Sequence, residues 1–332
     1  MTVFGRVNSG CSLFLQVFKY SHHQRLVENK LKTNPIALAL SALSIYAFHD
    51  ALIKYLGQHY SVIQIVFFAA LFTFPLFSIW LLGVNKLTTL KPTHPWALCF
   101  RSLAMVTNIL TAFYAFQVLP LAQAYTLFFT APLIVTALSG PFLKEKVDVV
   151  SWAAVCFGFV GVLVVLQPSV QPLELGHFAA LTAALVSALN SVLVRKIGAS
   201  ERSIVLMFYP MMATLLVMSF LIPFVYQPMP IAHMGIAAAI AAMSLSAGIL
   251  TIQSYRKGKA VVIAPMQYSQ ILWGALFGLV FFSETPRLTT MAGAAIIILS
   301  GVVIATRDRA VPVVQANVAS QSPELVQVKR DL

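Results

Sequence analysis

The sequence predicts an all-α membrane protein, with ten transmembrane helices arranged as two inverted five-helix repeats. Three observations lead there. Hydrophobic residues fill 59% of the 332 positions and charged residues only 10%, with a mean hydropathy of +0.85; a soluble domain carries roughly 25% charged residues. Ten mainly apolar stretches are long enough to cross a bilayer, which takes about 20 residues. The chain also echoes itself roughly 140 positions on: Ala47–Gly57 is answered by Ala188–Gly198, Ile63 by Ile204, Phe67 by Phe208, Ile109-Leu110-Thr111 by Ile249-Leu250-Thr251, Glu145 by Glu284 and Gly161-Val162 by Gly301-Val302. Each copy holds five spans. Five is odd, so the second copy enters the membrane the opposite way round, as in the inverted repeats of transporters.

In chain order, residues 1–34 form a cytoplasmic N-terminal tail. Its apolar run Cys11–Phe18 is too short to span, and no small-residue cleavage site follows it, so no signal peptide is read there. The first repeat covers 35–166, with spans at approximately 35–56, 61–82, 95–116, 121–140 and 148–166. The second covers 167–306, with spans at approximately 176–194, 203–225, 231–253, 260–282 and 288–305. Residues 307–332 mix Pro, Gln, Ser and charges and are expected to be a disordered cytoplasmic tail. The external connections, Gly57–Tyr60, Gln117–Pro120, Gln167–Leu175, Gln227–Pro230 and Ser283–Arg287, are too short to fold as domains. Any chemistry must therefore happen inside the bundle.

Charge placement sets the orientation. Of the 22 Lys and Arg residues, only Arg287 falls in a predicted external loop, and Lys54 and Arg101 lie within spans. All the others are on the side of the two termini, which the positive-inside rule makes cytoplasmic. The net charge of +12 is thus a topology signal and not a nucleic-acid surface. Cys11, Cys99 and Cys156 lack metal-ligand spacing and read as small packing residues. No Walker-type phosphate loop, H-E-x-x-H zinc motif, G-x-S-x-G nucleophile elbow or potassium-channel filter occurs. ATP-driven pumping, the common membrane hydrolases and a metal or organic cofactor are accordingly not expected.

Polar residues inside spans are costly in hydrocarbon and are the functional candidates. Asp50 is the one carboxylate well inside a span, one turn before Lys54 and on a face with Tyr46. Two readings stand: a proton- or cation-sensing group near the outer mouth, or an Asp50–Lys54 pair along the helix with Lys54 snorkelling outward. His49 beside it either titrates near neutral pH or packs as a hydrogen-bonded side chain. Arg101 either snorkels to the cytoplasmic interface or begins a polar stripe continued by Asn108, Thr111 and Tyr114. In the fourth span Tyr125, Thr126 and Thr130 precede Pro132, which frees a carbonyl and permits a kink. The ninth span carries Pro265, Gln267, Tyr268, Ser269 and Gln270, and buried amides need hydrogen-bond partners. Interhelical glue and substrate binding both satisfy that need.

Asn190 and Ser191 stand where the first repeat has His49 and Asp50. Trp273 and the Phe128-Phe129 pair either stack on a planar substrate or pack between helices. Spans five and ten are nearly free of polar side chains and hold Gly158, Gly161 and Ala292-Gly293-Ala294-Ala295, which suits tight helix packing. Glu145 and Glu284 precede those spans and read as structural complements to helix N-termini.

These motifs resemble the drug/metabolite transporter superfamily, specifically its EamA-type permeases, across about residues 35–306. The resemblance is carried by His49-Asp50-Ala51-Leu52-Ile53-Lys54-Tyr55-Leu56-Gly57, Phe67-Phe68, Phe100-Arg101-Ser102, Thr130-Ala131-Pro132-Leu133 and Leu143-Lys144-Glu145. The first-span Asp-x-x-x-Lys-Tyr-Leu-Gly is similar to that of bacterial S-adenosylmethionine uptake carriers. Such relatives usually have an arginine after the Phe-Phe pair, where this chain has Ala69. The resemblance implies a central cavity lined by spans 1, 3, 4, 6, 8 and 9, in a bacterial inner-membrane secondary transporter for a small organic metabolite. The expected substrate site is Asn108, Thr111, Tyr114, Tyr125, Thr126, Thr130, Asn190, Gln267, Tyr268, Gln270 and Trp273, with His49, Asp50, Lys54 and Arg101 for coupling or gating. The expected partners are the substrate and the lipid bilayer, and a homodimer stays open. Export of amino acids or toxic compounds, and a non-transporting membrane scaffold, are the alternatives.

Overall fold

A computed structural model describes residues 34–83, 91–143, 147–167, 172–197, 201, 203–257 and 263–307. Residues 1–33 and 308–332 of the two tails, Glu145 and residues 260–262 of the ninth span therefore lie outside the described residues. The described chain is helical throughout, with helices α1 Pro35–Gly57, α2 Val62–Gly83, α3 Pro95–Val118, α4 Leu121–Phe128, α5 Ala131–Leu143, α6 Val149–Leu166, α7 Leu175–Ile197, α8 Ser203–Leu221, α9 Ile231–Lys257, α10 Ser269–Phe282 and α11 Leu288–Arg307. Helices α4 and α5 are two pieces of the fourth predicted span, so these elements give the ten expected crossings. Helix starts follow the local chemistry. Pro35 opens α1 with Asn34 Oδ1 accepting from Ile36 N at 3.0 Å, and Asp148 caps α6 through Ser151 N at 3.2 Å.

The two broken spans are the fourth and the ninth. Pro132 has no N–H to donate to Phe128 O, and the ladder tightens just before it, where Thr130 N and Thr130 Oγ1 both donate to Leu127 O, at 3.1 and 2.8 Å. In the described part of the ninth span a 3₁₀ turn, Ala264–Tyr268, containing Pro265, precedes α10. These are partners under the repeat, and they pack against each other.

The packing is symmetric under exchange of the halves. Helix α1 packs on α9 as α7 packs on α3; α2 packs on α9 as α8 packs on α3; α5 packs on α7 as α10 packs on α1. Helices α6 and α11 make the most extensive contact in the bundle. Small residues allow it: a Cβ on Gly293 would lie 2.4 Å from Val165 Cγ2 and 2.7 Å from Gly161 O. In lipid such close backbone approach carries association, because apolar burial does not distinguish helix from lipid tail. Cys99 and Cys156 differ from expectation: both are exposed on their helices and are not packed between them.

Candidate substrate cavity

A central, partly open cavity of about 550 Å³ lies within the bundle. No residue of α6 or α11 lines it, in keeping with their apolar sequences. The lining differs from the six spans that the resemblance implies, because α2 contributes Ala69, Ala70, Thr73 and Phe77, and α8 contributes Leu206 to Thr214. Eight spans therefore face the space. Ala69 is one of the lining positions, so a longer side chain there would enter the cavity.

Asp50 lines this cavity and is 7% exposed. Its Oδ2 accepts from Tyr125 Oη at 2.6 Å and its Oδ1 lies 2.7 Å from His49 Nδ1. The predicted Asp50–Lys54 pair does not form. Lys54 turns to the other half of the molecule and pairs with Glu284 Oε1 at 2.7 Å. It also does not snorkel, being 5% exposed and donating to Leu119 O at 2.6 Å and Phe116 O at 3.3 Å. One helical turn makes the Asp50–Lys54 pair geometrically available, but tertiary partners outcompete it at both ends. Glu284 complements a helix N-terminus, as its position suggests. The helix is α4, through Leu121 N at 3.1 Å, and not its own α11.

Arg101 lies on the far side of the cavity and likewise does not snorkel. It is 2% exposed, with Nε donating to Leu206 O at 3.1 Å and Nη1 to Asn190 Oδ1 at 2.6 Å. Asn190 thereby joins the site indirectly: it does not line the cavity, and it holds the guanidinium that does. The Lys54–Phe116 contact sets the register of α1 against α3, which run in the same direction. Counting residues back along each helix at 1.5 Å per residue, the backbone positions of Asp50 and Arg101 differ in depth by on the order of 15 Å, a gap that the long arginine side chain can shorten. The cavity thus carries a negative group and a positive group at different depths.

Among the remaining sequence candidates, Asn108, Tyr125, Gln267 and Gln270 line the space. Asn108 Nδ2 donates to Ala183 O at 2.8 Å, tying α3 to α7. Neither Gln267 nor Gln270 hydrogen bonds through its amide among the described residues, so interhelical glue is not what they provide there.

The other candidates fall elsewhere. Thr111 donates to Thr107 O, Thr126 to Ala122 O and Thr130 to Leu127 O, so each hydroxyl satisfies its own span. Tyr114 is outside the lining, Tyr268 packs on Phe129 at 5.1 Å and Trp273 stacks on Phe277 at 5.6 Å. For threonine, back-bonding to the preceding turn is the local alternative that competes with a ligand. The lining also includes Thr73, Ser187, Ser191, Ser244 and three methionines, Met105, Met207 and Met211. Ser191 was signalled by its alignment with Asp50; single serines and methionines in apolar spans give no such signal.

An inverted-repeat helix bundle around a cavity with buried polar groups defines the class of membrane transporters. A family model described as the EamA-like transporter family matches this chain twice, over residues 33–167 and 174–306. The chain belongs to that family; it is a multi-pass membrane transporter and not an enzyme. It is similar to the S-adenosylmethionine uptake transporter of Rickettsia bellii, at 24% identity over 82% of this chain and 94% of the relative. It is also similar to the pseudopaline exporter of Pseudomonas aeruginosa, at 25% identity over 80% of this chain and 93% of the relative. A protein crystal structure superposes with TM-score 0.55 and 16% identity over 83% of this chain and 99% of the other, a likeness of fold alone.

Proposed function

We propose that this chain is a secondary transporter for a small, amino-acid-derived metabolite bearing groups of both charges, moved by alternating access around the central cavity. The observation that carries the reading is the pairing of Asp50 with Arg101 across one buried space. A fixed charge in a low-dielectric cavity acts strongly on a ligand charge that has left water. In this reading Asp50, oriented by Tyr125 and His49, receives the cationic group. Arg101, oriented by Asn190 and the Leu206 carbonyl, receives the anionic group, and its planar guanidinium suits a carboxylate. Gln267 and Gln270 offer amides with no protein partner among the described residues. Asn108 adds a carbonyl oxygen, because its amide nitrogen is engaged with Ala183 O.

S-adenosylmethionine, which the Rickettsia relatives take up by name, is one compound of this class. Ala69 removes the arginine usual in such relatives, and Arg101 keeps one positive charge in the cavity. Uptake across a bacterial inner membrane, with both termini cytoplasmic, is the direction and placement we propose; the Lys and Arg distribution supports the cytoplasmic side of the termini, and the Rickettsia relatives named for uptake support the direction. The asymmetry of the two repeats also supports a coupling role for Asp50. In proteoliposomes, Asp50→Asn is expected to abolish uptake, because it removes the charge that receives the cationic group. Uptake by Asp50→Asn at the wild-type rate would exclude that role.

A further inference from the structure

We propose that the Lys54–Glu284 ion pair is a latch that closes the cavity at the face opposite the chain termini and must open in each transport cycle. The proposal rests on the alternating-access reading above. Lys54 belongs to the first half and Glu284 to the second, and each meets the backbone of the turn between α3 and α4. The Lys54 ammonium sits on Phe116 O and Leu119 O, at the C-terminal end of α3, where carbonyls lack helical partners. The Glu284 carboxylate accepts from Leu121 N, at the N-terminal end of α4. Each charge therefore matches the partial charge of the helix end it touches. The pair clasps a turn whose Leu119 and Leu121 are 1% and 0% exposed.

This turn forms one end of the cavity. Phe116 before it and Tyr125 after it are lining residues, whereas Lys54 and Glu284 are not. Two further links join the halves at the same face. Tyr60 Oη lies 2.8 Å from His233 Nδ1. The Gln64 side-chain amide donates to Gln227 O at 2.7 Å and accepts from Gln227 N at 2.9 Å. The closing layer is thus polar, in contrast to the glycine-packed α6–α11 contact. A buried ion pair is nearly balanced between Coulomb attraction and lost hydration, so admitting water opens it at small net cost. An apolar seam offers no such compensation. Local backbone is shaped for the carboxylate: Ser283 adopts φ +55°, and a Cβ on Gly278 would lie 2.9 Å from Glu284 Oε2.

The test uses the full chain with Cys11, Cys99 and Cys156 replaced by serine and a reporter Ala112→Cys in the cavity lining. The protein is reconstituted in oriented vesicles and labelled with a membrane-impermeant maleimide from either face. Glu284→Gln and Lys54→Met should each label about tenfold faster from the face opposite the termini, within the usual range of coupling between sites. Bridging Tyr60→Cys to His233→Cys with a short bis-methanethiosulfonate, each cysteine thiolate displacing a sulfinate to form a disulfide, should suppress that labelling until the bridge is reduced; the same treatment of the protein without that pair controls for direct modification of the reporter. Labelling from the terminal face serves as the fold control. Wild-type labelling rates in both Glu284→Gln and Lys54→Met, with the control intact, would overturn the latch. A reporter reached from the terminal face alone in every variant would instead overturn alternating access itself. The exchanged pair, Lys54→Glu with Glu284→Lys, should stay fast, because each charge then meets the wrong helix end. Recovery of the wild-type rate by the exchange would refute the matching to α3 and α4.

Discussion

The two halves of the molecule share one architecture but divide its chemistry unevenly. Among the described residues, the first half gives the cavity both of its buried charged groups, Asp50 on α1 and Arg101 on α3. At the aligned positions the second half has Ser191 and Ala241, which are neutral and also line the cavity. The second half supplies what orients or complements those charges: Asn190 and the Leu206 carbonyl on Arg101, and the free amides of Gln267 and Gln270. Lys54 follows the same division, since its carboxylate comes from the second half. Duplication yields the path, and divergence between the copies yields a cavity with distinguishable ends. A site with two equivalent ends could not orient a ligand of mixed charge.

Substitutions can break that comparison in order of expected effect. Arg101→Gln removes the positive end and leaves Asn190 and Leu206 O facing a neutral group; transport should fall by about 100-fold, the scale of losing a charged hydrogen-bonding partner in a buried site. Transport by this variant within twofold of wild type would remove Arg101 from the site. Transplanting the carboxylate, with Asp50→Ser and Ser191→Asp together, tests whether the halves are interchangeable. Tyr125 and His49 stay behind on the first half, so the transplant should not recover the activity lost in Asp50→Ser. Recovery would mean that the copies are equivalent.

Gln267→Leu and Gln270→Leu should each raise KM by about fivefold, the effect of one lost hydrogen bond near 1 kcal/mol. Unchanged KM in both would assign the amides no contact with ligand. Ala69→Arg, read by uptake competition among candidate metabolites, should shift selectivity towards ligands with more negative charge, because it adds a second cation to the lining. Thr111→Val and Trp273→Leu bracket the small end of the scale. Neither residue lines the cavity, and rates within about twofold of wild type are expected for such peripheral changes.

Much of this is legible in the amino-acid sequence. Composition and span length specify the ten crossings, the odd-numbered echo specifies the inversion, and Pro132 and Pro265 mark the two broken spans. The apolar, glycine-bearing sequences of α6 and α11 matched helices that stay out of the cavity. Side-chain partners were less accessible. Asp50 and Lys54 are one turn apart, and helical spacing alone favours pairing them. The competing partners, Tyr125 and Glu284, are distant in sequence and become available only through tertiary packing. Arg101 illustrates the same limit, since snorkelling is the default only where no buried acceptor is nearby. Asn190 and Leu206 O provide acceptors from the other half. Threonines in spans are a weak signal for a binding site, because a hydroxyl in a helix can be satisfied by its own preceding turn, as in Thr111, Thr126 and Thr130. The serines and methionines of the lining carry no sequence signal that separates cavity from lipid or core.

The central claim is that one ligand engages Asp50 and Arg101 in the same cavity. It is tested most directly by ligand-induced thermal stabilisation of purified wild type, Asp50→Asn and Arg101→Gln across a panel of cationic, anionic and zwitterionic amino-acid derivatives. The account predicts that a zwitterion stabilises the wild type, that its cationic and anionic fragments stabilise it less, and that both variants lose the zwitterion's effect. Equal stabilisation of all three proteins by the same ligand would contradict it.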